Sequence, residues 1–203
     1  MTVDHIGLAL LPDVLELRLV GRVAFPLFAF LVTEGVRMTS SPRSYLLRLA
    51  LFALASQVPY SLLAASVAPG SLNVGFTLAI SAALLIALRR LSVAPSPLAR
   101  AASVALAVAA CVLASALRAD YGGAGVLTAL VLAGRERPAE RAALLAPGFA
   151  LLGPAQLAAL LSVPVISLYD GSRGALPRWA GRALYAYYPA HMLVLWAISR
   201  IAP

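Results

Sequence analysis

Two adjacent side chains near the start of the chain, Asp4 and His5, have the residue types of an acid–base site. An imidazole titrates near neutral pH, so His5 could take a proton from an attacking amine or hydroxyl; the plainer interpretation is a helix-end histidine at a wet interface. Neighbouring residues on a helix point about 100° apart, so Asp4 could pair with Arg22 instead of His5. Such a buried ion pair either holds the geometry of a site or neutralises two buried charges.

A second histidine, His191, follows the string Tyr187-Tyr188-Pro189-Ala190. Proline has no N–H to donate, so Pro189 frees a backbone carbonyl and kinks its helix. The simplest interpretation of His191 is a core histidine bonded to that carbonyl or to a tyrosine hydroxyl. Two histidines and the one cysteine, Cys111, are too few for a typical zinc site, so no metal is expected.

The elements that must position these residues are membrane helices. Of the 203 residues, 62% are hydrophobic and 12% charged, a composition that excludes a water-soluble globular protein. A transmembrane helix takes about 20 residues, which leaves room for roughly eight or nine spans and for no soluble catalytic domain. We therefore predict an all-α integral membrane protein, a polytopic bundle of about nine helices that forms one transmembrane domain over residues 1–203.

Arg, Pro, Gly and Asn residues divide the chain into nine apolar segments. The predicted segments are about 2–12, 18–36, 45–66, 73–88, 98–117, 121–134, 141–153, 155–168 and 183–201. The sixth to eighth are shorter than a standard span, which predicts tilted or half-spanning helices. The first covers about half a membrane thickness, so it is either a half-spanning helix or a truncated helix whose start codon was assigned late, and we favour the second.

The arginines predict the orientation of the helices. The net charge of +8 rests on 16 basic residues, none of them lysine. Eleven lie in the connections after the second, fourth, sixth and eighth segments, whereas the alternate connections and the C-terminus hold only Arg18, Arg118 and Arg200. Because positive residues accumulate in cytoplasmic loops, we predict a multi-pass protein of the inner (cytoplasmic) membrane with its N-terminus inside. Membrane orientation also accounts for the basic pI without a nucleic-acid partner.

This topology sorts the intramembrane polar residues by depth. A charged side chain at the bilayer centre costs about 2.5–3.5 kcal/mol, so it normally faces the protein interior and is paired or functional. The candidate substrate-binding or catalytic residues in the middle and outer leaflet are Asp4, His5, Arg22, Gln57, Tyr60, Asn73, Asp120, Tyr121 and His191.

Two charged residues fall near the cytoplasmic side instead. Glu34 stands three residues before Arg37, so a surface i,i+3 pair is its simplest role. Arg48 lies one turn inside the third segment and could snorkel to lipid phosphates. Both could also face a bound anionic nucleotide, and Arg48 is the better candidate.

Seven strings in register carry a resemblance to a known family. They are Asp4-His5-Ile6-Gly7; Gly21-Arg22-Val23-Ala24-Phe25-Pro26-Leu27-Phe28-Ala29-Phe30-Leu31 with Glu34-Gly35; Tyr45-Leu46-Leu47-Arg48 with Ser56-Gln57-Val58-Pro59-Tyr60; Asn73 with Phe76-Thr77-Leu78; Asp120-Tyr121-Gly122; Tyr169-Asp170-Gly171 with Arg173-Gly174; and Tyr188-Pro189 with His191. Taken together, this set resembles the TraX family of membrane proteins from Asp4 to Leu195.

The resemblance implies a multi-spanning acetyltransferase related to the transmembrane acyltransferases. The family's namesake acetylates the N-terminal amine of a conjugative pilin with acetyl-CoA as donor. By that likeness His5 is the catalytic base, supported by Asp4, Arg22 and His191. The donor would enter from the cytoplasm, where Arg48 and Arg173 are candidate contacts for the negative charges of coenzyme A.

The acceptor does not carry over from the namesake. It could be a protein N-terminus, a saccharide or a small molecule, met deeper in the bilayer or outside, and a link to conjugation does not follow. Both direct transfer and an acyl-imidazole intermediate are chemically possible.

Two other functions remain open. In a proton- or ion-coupled transporter, Asp4, Arg22, Asp120 and His191 would line the path, although no convincing internal repeat supports this. In a non-catalytic assembly protein the polar residues would hold helices together. That function predicts that His5→Ala changes stability and abolishes no activity.

Overall fold

The computed structural model describes residues 1–134, 137–172 and 177–201, and every regular element within them is a helix. This confirms the all-α fold. The α-helices are α1 Thr2–Ala9, α2 Leu15–Arg22, α3 Ala24–Met38, α4 Pro42–Leu63, α5 Val74–Leu91, α6 Pro97–Ala116, α7 Gly122–Ala133, α8 Pro138–Leu151, α9 Ser162–Ser167 and α10 Arg178–Ile201. A 3-10 helix, Pro154–Leu161, leads directly into α9.

Within the described residues, four helical stretches are long and apolar enough to cross a membrane. They are Leu15–Met38, which joins α2 and α3, together with α4, α5 and α6. A polytopic helical membrane protein is therefore confirmed. The 12 residues of α7 and 14 of α8 fall short of a span, as the sequence predicts.

Local sequence signals set the starts of these helices. The Asn73 side chain accepts a hydrogen bond from the Gly75 amide at the start of α5, and the Ser96 hydroxyl accepts one from the Ala99 amide at the start of α6. Both satisfy an amide that has no partner within the helix. Pro42 and Pro97 stand at the first helical position, where the missing N–H costs nothing.

The helices pack into one bundle around a shared core. Helix α3 lies against α5 and α7, while α4 lies between α5 and α10. Helix α10 also contacts α1, so it links the N-terminal helix to the centre of the bundle. Helix α6 is peripheral, with Ala114 as its buried residue, and it presents an apolar face suited to lipid.

A close crossing of α1 and α2 fixes the position of the first polar pair. A Cβ atom added to Gly21 would overlap Asp4 Cβ and lie 2.8 Å from Asp4 Cα. Gly7 meets the same helix, because its added Cβ would lie 3.0 Å from Leu17 Cβ. Small residues let membrane helices approach closely, and this approach brings Asp4 over the basic residues of α2.

Candidate functional site

The two histidines, 186 positions apart in sequence, form a hydrogen-bonded pair. Nδ1 of His5 on α1 lies 2.8 Å from Nε2 of His191 on α10. Their rings are nearly parallel, with centroids 5.0 Å apart, and both residues are 7% exposed. Sequence alone gave no reason to join them, although it named both as candidate catalytic residues.

The neighbouring backbone defines which nitrogen of each ring carries a proton. His191 Nδ1 lies 3.0 Å from the carbonyl oxygen of Tyr187, which can only accept, so this nitrogen must be the donor. In a neutral His191 the other nitrogen, Nε2, is then an acceptor, and the proton between the rings belongs to His5 Nδ1. Nε2 of His5 is left with a free lone pair.

The carbonyl bonded by His191 corrects one detail of the sequence interpretation. Pro189 removes the N–H that would reach the carbonyl four residues earlier, which belongs to Tyr185. His191 instead bonds the Tyr187 carbonyl, its own i−4 neighbour. Two tyrosines frame the pair: the Tyr187 hydroxyl lies 2.9 Å from the Thr2 hydroxyl, and the Tyr188 ring packs edge-on against His191.

Asp4 faces two arginines rather than the one expected. Its Oδ1 lies 3.9 Å from Arg22 Nη1, as the sequence predicts, and 3.5 Å from Arg18 Nη1. Arg18 also donates to the Asp4 backbone carbonyl at 3.3 Å. Arg18 is therefore a site residue that sequence analysis missed, although its position one turn before Arg22 puts both arginines on one face of α2.

Asp120 and Tyr121 reach the same region from the α6–α7 loop. Tyr121 adopts the left-handed backbone region with φ of 64°, and its ring stacks on Phe25 with centroids 3.8 Å apart. Its hydroxyl lies beside the Arg22 guanidinium. Burial raises the pKa of the Asp120 carboxyl to about 6, although the positive charge of Arg22 opposes the shift. The loop is pinned by pairing between Leu72 and Ala119.

Gln57, Tyr60 and Asn73 lie close together, but their hydrogen bonds are structural: they hold the α4–α5 loop against α4. The Asn73 amide donates to the Ala53 carbonyl at 2.8 Å and to Gln57 Oε1 at 2.9 Å. Gln57 donates to the Ser71 carbonyl, and the Tyr60 hydroxyl lies 3.3 Å from the Ser71 hydroxyl. These bonds tie the α4–α5 loop to α4.

The remaining candidates lie away from the histidines. Glu34 receives a bidentate ion pair from Arg37, with Nη2 to Oε2 at 2.6 Å, and stands 12 residues or roughly 18 Å along the chain from Arg22. This is the i,i+3 pair that the sequence indicates. Arg48 is exposed near the start of α4, with its guanidinium carbon 5.8 Å from the centre of the Tyr45 ring. Arg173 lies outside the described residues.

Comparison with known proteins decides the family. The family model described as TraX protein matches residues 1–199. The chain belongs to the TraX family. A relative, the probable fimbrial assembly protein FimC, serogroup H1, of Dichelobacter nodosus, is 34% identical over 228 aligned positions, covering 96% of this chain and 89% of FimC. No solved structure matches the chain.

Most of the TraX strings lie in two structural regions, whereas residues 34–35, 45–48 and 169–171 lie outside them. One region joins α1, α2, α10 and the α6–α7 loop around the histidine pair. The other is the set of hydrogen bonds that holds the α4–α5 loop against α4. In the described residues no cluster of three or more His, Cys, Asp or Glu side chains could hold a metal ion.

Proposed function

We propose that this TraX-family chain is a membrane-embedded acyltransferase that moves an acetyl group from acetyl-CoA to an amine or a hydroxyl. The observation that carries the proposal is the hydrogen-bonded series from the Tyr187 carbonyl through His191 to His5. This series orients the His5 ring and leaves its Nε2 lone pair as a base. An oriented base of this kind is the requirement for activating a nucleophile.

The chemistry needs one proton to move twice. Nε2 of His5 takes the proton from the acceptor nitrogen or oxygen as that atom bonds to the thioester carbonyl carbon. The carbon–sulfur bond then breaks, and the departing thiolate receives the proton back from His5. While His5 is protonated, its Nδ1–H still donates to His191 Nε2, which stabilises the imidazolium as a neighbouring acceptor does in a catalytic triad.

The ionic groups on α2 have a supporting part in this proposal. Asp4 is the residue before His5, and its carboxylate is held by Arg18 and Arg22. Because α1 is only eight residues long, these ion pairs restrain the whole helix and with it the His5 ring. Arg22 and Tyr121 would border the acceptor.

The donor is proposed to approach from the cytoplasm and the acceptor from the opposite side, with the arginine-rich loops inside. Because the Dichelobacter nodosus relative is named as a probable fimbrial assembly protein, a fimbrial subunit is the acceptor to test first. A pilin-type N-terminal amine meets the requirement for a nucleophile, and saccharide hydroxyls are the second class to test.

The decisive experiment measures transfer of labelled acetyl from acetyl-CoA by the purified protein in lipid nanodiscs, with candidate peptide amines and saccharides as acceptors. The wild type should turn over, and His5→Ala should lose at least about a hundredfold in rate while remaining folded, since general base catalysis contributes 10²–10⁴. If His5→Ala fails to fold, or if His5→Gln is as active as the wild type, the role of His5 as the catalytic base is wrong.

The transporter function makes a different prediction for the same preparation. Proton flux into vesicles that persists without acetyl-CoA and depends on His5 would favour a conducting path over transfer. Absence of acetyl transfer to every acceptor class, combined with such flux, would replace the acyltransferase proposal.

A further inference from the structure

A groove of about 510 Å³ runs between α4 and α10, away from the histidine pair and the ion pairs of Asp4. Arg48 lies at one end of the α4 wall and Ser56 at the other, eight residues or roughly 12 Å apart along the helix. Phe52 lies between them, and Tyr185 and Pro189 form the α10 wall. Most of the lining is apolar, with a cation at one end.

One polar side chain of the groove, Ser56, lacks a hydrogen-bond partner in the part of the chain that the structure describes. The Ser56 hydroxyl is fully buried and has no hydrogen-bond partner among the described residues. Two prolines add acceptors: Pro59 has no N–H for the carbonyl of Ala55, and Pro189 has none for the carbonyl of Tyr185. Ala55 and Tyr185 both line the groove. Unpaired polar groups in a bilayer cost several kcal/mol, so they mark a place for a polar ligand.

The groove is one aromatic ring away from the histidine pair. The Phe52 ring packs on the Tyr188 ring at 5.2 Å between centroids. Tyr188 in turn lies 5.6 Å from His191 and 6.2 Å from His5 by the same measure. The Tyr188 ring therefore separates the groove from the histidine pair, and a flexible molecule lying along the groove would have its inner end one aromatic ring away from the proposed base.

We infer that the α4–α10 groove binds the phosphate-bearing, amide-containing arm of the acyl thioester donor, with a phosphate at Arg48 and amide or thioester groups at Ser56, Ala55 and Tyr185. This inference rests on the proposed acyltransferase function and names the site of its donor. The Ser56 hydroxyl donates to a carbonyl of the arm, and the backbone carbonyls freed by proline accept from its amide N–H groups. Arg48 fits a phosphate by charge and by its fork of donors.

The same polar groups favour this occupant over a membrane lipid. An anionic phospholipid would also place its phosphate at Arg48, but its hydrocarbon tail offers nothing to the Ser56 hydroxyl. A lipid tail would therefore bury an unpaired hydroxyl, which costs about 1–3 kcal/mol. A donor arm with a phosphate and with carbonyl and amide groups along its length can pair with Arg48 at one end of the groove and with the Ser56 hydroxyl at the other.

Two pairs of variants test the groove, each with a control on the same helix. Ala55→Trp fills the groove, whereas Leu54→Trp adds the same ring at a neighbouring position that is 59% exposed. Arg48→Gln removes the cation, whereas Arg43→Gln removes an exposed cation five residues earlier. The readouts are the Kd of coenzyme A and the KM and kcat for acetyl-CoA, measured in neutral and in anionic lipid nanodiscs.

We expect Ala55→Trp to weaken coenzyme A binding by at least tenfold and Arg48→Gln to raise the acetyl-CoA KM about tenfold with kcat nearly unchanged, the equivalent of about 1.4 kcal/mol. Both control variants should match the wild type. If Ala55→Trp and Arg48→Gln both turn over acetyl-CoA like the wild type, the groove is not the donor site, and the acyltransferase proposal is unaffected. Loss of bound anionic lipid from Ala55→Trp, with coenzyme A binding intact, would identify a lipid site instead and also overturn it. A wild type that neither binds coenzyme A nor transfers acetyl would overturn both proposals.

Discussion

At the scale of single residues, the contact between the two histidines makes a prediction about His191. If His191 positions His5 by accepting from its Nδ1–H, then His191→Gln should retain part of the rate, because a glutamine carbonyl oxygen can occupy the place of the accepting nitrogen. His191→Leu, which fills similar space without an acceptor, should lose about a hundredfold or more in kcat. Steady-state kinetics with labelled acetyl-CoA distinguishes the two variants.

The thermal midpoints of these variants provide the control. A purely structural His191 would make stability and activity fall together, and both substitutions would behave alike. Equal kcat values for the Gln and Leu variants, at equal folded fractions, would therefore contradict a positioning role for His191.

The carboxyl of Asp120 makes a prediction about stability and pH. Its pKa is raised to about 6 by burial, so the folded protein binds this proton more tightly than the unfolded chain does. Stability therefore falls as pH rises from 3.8, the ordinary value, through about 6. Asp120→Asn should stabilise the protein at pH 7.5 by about 1–3 kcal/mol, and the gain should shrink below pH 5. Thermal unfolding in detergent at several pH values measures this.

Asp170 offers a control, because the pKa of its carboxyl is shifted in the opposite direction to that of Asp120. Hydrogen bonds from Ser172 lower the pKa of the exposed Asp170 carboxyl, so its ionised form is favoured in the folded protein. Asp170→Asn should give no gain in stability at pH 7.5. A gain of the same size in both variants would show that removal of negative charge in general, rather than the burial of Asp120, is responsible.

The residue types and their spacing predicted many of the residues of this site, but they did not predict most of the contacts between them. Asp4 and Arg22 are near enough in sequence for their pairing to be predicted, and Arg18 could have been added from its i,i+4 spacing to Arg22. The bond between His5 and His191 depends on how α10 packs against α1, and no local pattern encodes that packing. The same holds for Ser56, whose lack of a partner is visible only in the folded bundle.

At the scale of elements, the crossing of α1 and α2 makes the third prediction. Gly21→Ala would place a methyl group onto Asp4, so α1 must move away from α2 and carry His5 with it. We expect a loss of about 1–3 kcal/mol in stability from overpacking and a larger fractional loss of acetyl transfer. Gly148→Ala on α8, where the nearest atom is 4.0 Å away, should be neutral or slightly stabilising. Equal effects of the two substitutions would contradict a tight crossing.

The elements themselves were largely predictable from the sequence. The lengths of the apolar segments and the Arg, Pro, Gly and Asn residues at their ends predicted segments close to α4, α5, α6, α7 and α8. They could do so because a bilayer sets the length and composition of the helices that cross it. The second segment divides into α2 and α3 at Val23, and the eighth begins as a 3-10 helix. These irregularities arise from packing between neighbouring helices, and hydrophobic periodicity carries no signal for them.

At the scale of the whole molecule, the polar contacts divide between the two ends of the bundle. The α4–α5 and α6–α7 loops, joined through Leu72 and Ala119, lie at the end that holds Asp120 and Tyr121. Arg89 at the other end donates to the carbonyls of Val36 and Arg37 at the end of α3. The proposed reaction requires these ends to face different compartments, because donor and acceptor approach from opposite sides.

That requirement gives the fourth prediction, which concerns sidedness. Cys111 is a free cysteine in α6 and can be replaced by serine to give a background for single-cysteine variants. In intact spheroplasts a membrane-impermeant maleimide should label Ser66→Cys in the α4–α5 loop and should label Val93→Cys, in the 83% exposed position after α5, only after permeabilisation. The reason is that arginine-rich loops stay in the cytoplasm. The reverse labelling pattern would place Arg48 and the α4–α10 groove on the side away from cytoplasmic coenzyme A, and an acetyl-CoA-dependent transfer through that groove would then be untenable.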